Sequence, residues 1–121
     1  MEMHKITVAF ILLIFMFMAC TNKYDITDAK SKEIREAAQD LFLSNGNKTG
    51  EIQIYPNAII QLQPESVTMR ADGLYIQLDG FFVQESGLFI PRDDANVVEG
   101  TSSDPGYVKL GSGIYRYWIK G

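Results

Sequence analysis

Histidine and cysteine are almost missing. The 121 residues hold one of each, His4 and Cys20, both within the first twenty positions. The rest of the chain therefore offers no Ser-His-Asp triad, no Cys-His pair and no zinc site that uses histidine. One cysteine cannot close an intramolecular disulfide, so the core has to hold without staples. Positive charge is also short. Eleven Lys and Arg stand against fifteen Asp and Glu, for a net charge of -4. That balance argues against a nucleic-acid partner, which wants clustered Lys and Arg. No glycine-rich phosphate loop is present, since Gly111-Ser112-Gly113 is short and leads into a strand pattern rather than a helix. None of these patterns calls for a cofactor. The length fits one domain with one modest core and excludes paired dinucleotide-binding domains and α/β barrels.

What is present begins with an apolar run, Ile6 to Ala19, preceded by Glu2, His4 and Lys5. As a helix it would rise about 21 Å. A bilayer core about 30 Å thick needs roughly 20 residues, so the run reads as a signal-peptide core rather than a permanent span. The next residues, Phe17-Met18-Ala19-Cys20, resemble a bacterial lipoprotein box. Ala19 and Cys20 fit that pattern, while Phe17 and Met18 depart from its usual Leu and small residue. The resemblance covers only the leader. It implies cleavage before Cys20, lipidation of Cys20, and a lipoprotein tethered to a bacterial cell envelope. Thr21, where an inner-membrane retention signal would place Asp, implies the outer membrane, facing the periplasm. An uncleaved anchor is the competing expectation. Cleavage would also remove the only histidine.

Residues 20–27 read as a lipidated N-terminus and tether, and 28–121 as one α+β domain after a signal peptide at 1–19. Asp25, Thr27 or Asp28 can cap a helix. Ile34, Ala37, Ala38, Leu41 and Phe42 then form one apolar stripe at helical spacing, which predicts a helix over 28–44. Asn45-Gly46 stops it. From Glu51 the period changes to two. Ile52 to Tyr55, Ala58 to Gln63, Val67 to Met69, Leu74 to Asp79, Phe81 to Val83 and Leu88 to Ile90 all alternate. Asp79-Gly80 is the strongest hairpin signal, and Glu85-Ser86-Gly87 reads as another turn. A long loop, 91–105, precedes strands at Tyr107 to Leu110 and Ile114 to Ile119. No stretch among them supplies a crossover helix, so the pairing is antiparallel. The expected architecture is an N-terminal helix packed on a curled, mainly antiparallel β-sheet or small barrel.

Two features invite a binding role. The closing strand carries Tyr115, Arg116, Tyr117 and Trp118, and aromatics beside arginine are typical of interface hot spots. The loop carries Asp93, Asp94, Glu99 and Asp104, which either solvate it or meet a basic partner. A Gln-rich sheet face (Gln53, Tyr55, Gln61, Gln63, Tyr75, Gln77) offers neutral hydrogen-bonding groups. The leading expectation is a small envelope-anchored lipoprotein that binds another envelope protein in an inhibitory or assembly role, without catalysis. One alternative is a glycan, lipid or calcium module, which a cavity lined by Phe81, Phe82, Phe89 and Tyr107 would favour. Another is a small hydrolase using two carboxylates, which requires converging acids in a cleft.

Overall fold

The computed structural model describes residues 23–93, 95–111 and 113–121. The leader, Cys20 and Asp94 lie outside the described residues. Helix α1 spans Asp28–Asn45. Thr27 caps it, its hydroxyl accepting from the Lys30 amide at 3.2 Å. Gly46, at φ +58°, ends it and donates its amide to Phe42 O at 3.0 Å. A left-handed backbone of this kind costs glycine little and most residues more. All five residues of the expected stripe are buried, and they face the sheet core.

The sheet has six strands: β1 (Gly50–Glu51), β2 (Ser66–Arg70), β3 (Gly73–Phe81), β4 (Gln84–Pro91), β5 (Gly106–Gly111) and β6 (Ile114–Ile119). Their order is β1-β2-β3-β4-β6-β5, and every pairing is antiparallel. The sheet is open, with β1 and β5 at its two edges, so the expected small barrel does not form. A simple meander would have set β5 beside β4. Instead the 92–105 connection carries the chain past that slot, and β6 returns to fill it.

Inserting β6 gives the sheet two covered faces. On the helix side, Val67, Met69, Leu74, Ile76, Leu78, Leu88, Ile90 and Ile114 pack against α1. On the other side, Tyr75, Phe89 and Tyr117 form a smaller core that Val97, Tyr107, Tyr115 and Ile119 flank. Val97 brings the long connection over that face. Tyr75 and Phe89 stack at 4.6 Å, and Tyr117 meets Tyr75 edge-on at 4.9 Å. Such pairs stabilise by about 0.5–1.5 kcal/mol beyond their burial.

Four local expectations are corrected. Residues 58–63 do not form a strand. A single helical turn, α2 (Asn57–Ile60), follows Pro56. Only Ile59 is buried there, whereas Ile60 is 52% exposed. One buried residue sets no period, so the local alternation carried no strand information. Beyond β1, the Ile52–Tyr55 stretch is irregular. Asp79-Gly80 is not the hairpin turn. It lies within β3, and the two-residue loop is Phe82-Val83, because Phe81 pairs with Gln84. Leu78 falls at a register shift between Gln77 and Asp79, which lets the strand continue. Glu85-Ser86-Gly87 is likewise no turn but runs through β4.

Candidate functional site

The polar chemistry on the helix side of the sheet gathers at its hairpin end, where the chain enters from the N-terminus. Tyr24 is buried against the core. Its hydroxyl donates to Asp79 Oδ2 at 2.9 Å and lies 3.0 Å from Ser86 Oγ. Lys23 places its ammonium 2.9 Å from Asp79 Oδ1 and 3.4 Å from the Leu78 carbonyl. Asp79 and Ser86 face each other across β3 and β4, and Ser86 faces Trp118 on β6. The Arg116 guanidinium sits 3.8 Å from the Tyr24 ring centre and 4.5 Å from that of Trp118. A cation between two aromatic faces gains from both ring quadrupoles. Its Nε is buried without a hydrogen-bond partner.

The Lys23 ammonium holds the Asp79 carboxyl below its ordinary range, and the Tyr24 hydroxyl adds to that effect. The same contact with Asp79 raises the Lys23 ammonium. Burial raises the Tyr24 phenol. At neutral pH the cluster is a carboxylate held by an ammonium and a phenol, a stable tie between the tether and the sheet.

Beside this cluster lies an open depression of about 690 Å³. Trp118, Ile119 and Phe81 supply apolar wall, Thr101 comes from the long connection, and Lys120 adds a cation. Glu65, Asp79 and Glu85 also line it. Each of these acids already accepts a hydrogen bond: Glu65 from Gln77, Asp79 from Lys23 and Tyr24, Glu85 from Arg70 and Tyr117. At its edge the β3–β4 hairpin projects three apolar residues into solvent: Phe81 at 70%, Phe82 at 92% and Val83 at 72% exposure. The two phenyl rings meet edge-on at 4.5 Å. Phe82 takes φ +57°, an outlier for a bulky side chain.

The sequence-predicted residues separate onto different surfaces. Arg116 and Trp118 share the hairpin end. Tyr117 is fully buried in the second core and donates to Glu85 Oε2 at 3.2 Å, while Tyr115 flanks that core. The three described loop acids, Asp93, Glu99 and Asp104, do not form one patch. Glu99 accepts from the Lys109 amide and Asp104 from the Lys120 amide, so both pin the connection to the sheet. Asp93 is exposed beside Arg92, near the far end of α1. Nor do Phe81, Phe82, Phe89 and Tyr107 line one cavity. Phe89 and Tyr107 pack together at 5.1 Å between centroids, and Phe81 and Phe82 sit at the exposed tip. The Gln-rich face also divides, because Gln61 and Gln63 follow the α2 turn outside the sheet and Tyr75 is buried. Sequence reasoning missed Tyr24, Asp79, Ser86 and the tip. The available signal for the tip was three consecutive apolar residues, Phe81-Phe82-Val83, which alternation cannot place on one buried face.

A second polar network lies on the opposite face. The Tyr75 hydroxyl donates to Asp72 Oδ2 at 2.7 Å and lies 2.7 Å from the Tyr107 hydroxyl. Arg70 stacks over Tyr75 at 4.3 Å and reaches Glu85 at 3.4 Å. Burial, above all, raises the Tyr75 and Tyr117 phenols, which favours the neutral form that donates to Asp72 and Glu85. Among the described residues, no three His, Cys, Asp or Glu side chains are grouped to hold a metal ion. No described helix is long and apolar enough to cross a membrane. No protein family, curated protein or solved structure matches this chain.

Proposed function

We propose that this chain is a small lipoprotein, anchored to the bacterial envelope through Cys20, whose domain binds another envelope protein without catalysis. The observation that carries the reading is the open depression walled by Trp118, Ile119 and Phe81, with Arg116 stacked behind Trp118. Aromatic walls backed by arginine concentrate binding energy in protein interfaces. The lining carboxylates support binding over hydrolysis. Asp79 is held ionised by Lys23, so it has no proton to give at neutral pH, and Glu85 is engaged by Arg70 and Tyr117. The anchor follows from the lipoprotein-box resemblance at Phe17–Cys20.

The test is affinity capture of the full chain, crosslinked in intact cells, comparing wild type with Trp118→Ala and Leu43→Ala. Leu43 is 84% exposed near the C-terminal end of α1, away from the depression. A protein held by wild type and L43A but lost from folded W118A supports the reading. Equal retention by all three, or no specific partner at all, overturns it.

A further inference from the structure

We propose that the β3–β4 hairpin tip, Phe81-Phe82-Val83, inserts into the lipid interface of the membrane that holds the N-terminus, and so fixes the domain's orientation on that surface. The proposal rests on the anchoring through Cys20 described above, and goes beyond it by assigning a second contact.

Two lengths carry the argument. Only three residue steps separate Cys20 from Lys23, a reach of at most about 11 Å. Lys23 and Tyr24 are bonded to Asp79, so the tether reaches the domain at the base of this hairpin. Phe81 lies two strand steps beyond Asp79, about 7 Å, and Phe82 is one turn residue further. The tip therefore projects from the place where the tether is fastened, over a distance that matches the tether's reach. A lipid on Cys20 would bring the tip to the membrane surface. An anchor attached near α1's C-terminal end would not: there Arg92 bonds the Gly46 carbonyl and its amide bonds Asp72 O, at the opposite end of β3.

The chemistry of the tip fits that place. Three consecutive apolar residues, each at least 70% exposed, stand at the tip, and the two phenyl rings touch. Exposed apolar patches of this kind mark interaction or membrane sites. Phe82 keeps a positive φ that a bulky residue adopts only against strain, at the position of greatest exposure. Phenylalanine is among the apolar residues that interfacial segments bury at the boundary between headgroups and acyl chains. A lipid anchor combined with a second contact holds more firmly than either alone.

The experiment places a single tryptophan at the tip. The full chain, expressed with its leader in a bacterium that processes lipoproteins, is reconstituted from detergent into phosphatidylethanolamine–phosphatidylglycerol vesicles. Phe82→Trp is made in a Trp118→Phe background, with Leu43→Trp in the same background as the distant control. Vesicle flotation reports anchoring. Quenching by lipids brominated near the glycerol end of the acyl chain reports depth. The expected result is flotation of both, with blue-shifted, strongly quenched emission from F82W and unquenched emission from L43W. Flotation without quenching of F82W overturns the tip contact and leaves the anchor standing. Equal quenching of both sites also overturns it. Failure to float overturns the anchor and the tip contact together.

Discussion

Gly87 tests the sheet architecture most sharply. It lies in the middle of β4, opposite Gln77 on one side and Tyr117 on the other. A Cβ there would collide with the Ile76 carbonyl oxygen and sit 2.8 Å from the Ile76 carbonyl carbon and 3.0 Å from the Gln77 Cα. These are backbone atoms of the paired strand, so relief requires β3 and β4 to separate. Overpacking of this kind costs about 1–3 kcal/mol. Replacing glycine also restricts the unfolded chain, which offsets about 0.4–1 kcal/mol. The net loss for Gly87→Ala is then about 1–2 kcal/mol, or a Tm lower by about 5–15 °C for a domain of this size. Gly80→Ala is the control within the same strand pair. Its Cβ would meet the ends of Gln77 and Glu65 side chains, at 2.6 and 3.0 Å, and both can swing away. It should stay within about 0.5 kcal/mol of wild type. Urea denaturation followed by circular dichroism measures both variants. If G87A proves as stable as G80A, the β3–β4 register is wrong and the argument fails with it.

Two further predictions follow from the buried polar groups. Tyr75 and Tyr117 have phenols raised above the ordinary value of 10.0, chiefly by burial, so the folded state keeps protons that the unfolded state releases. Stability is therefore full below pH 10 and falls as pH rises beyond it. Phenolate absorbance from these two tyrosines should appear together with the loss of β-sheet ellipticity; a phenolate signal that arises while the sheet is still folded and is missing from Tyr75→Phe or Tyr117→Phe would contradict the packing. Asp79 shifts the other way. Its carboxyl is depressed below 3.8 by Lys23, so its stabilising contacts persist above that pH and disappear as pH falls through its lower folded value. Wild type should exceed Asp79→Asn in urea midpoint near neutrality, with the gap closing in strong acid. A gap that persists unchanged to the acid limit would show that the carboxylate charge is not what ties Lys23 and Tyr24 to the sheet.

Much of this protein was legible in local pattern. The stripe from Ile34 to Phe42 specified a helix and its buried face, because five apolar residues at i, i+3, i+4, i+7 and i+8 admit one side only. Thr27 and Asn45-Gly46 supplied its ends through ordinary capping chemistry. Long alternations such as Leu74-Ile76-Leu78 likewise determined which side of β3 meets the helix, and the absence of a crossover helix determined antiparallel pairing. The near-empty inventory of histidine and cysteine limited the chemistry before any fold was considered. Tertiary structure decided the rest. Asp79-Gly80 and Glu85-Ser86-Gly87 carry turn residues, yet pairing across β3, β4 and β6 draws them into strand, since a continuous ladder there completes two cores. Gly87 is glycine for want of space beside Ile76, not for a turn. The placement of β6 between β4 and β5 buries Tyr117 and turns Arg116 and Trp118 toward Tyr24, a grouping across more than ninety residues that no local period encodes. Short-range periodicity reports which way a side chain points. Which strand lies next to which, and hence which side chains meet at the hairpin end, depends on contacts far apart in the chain.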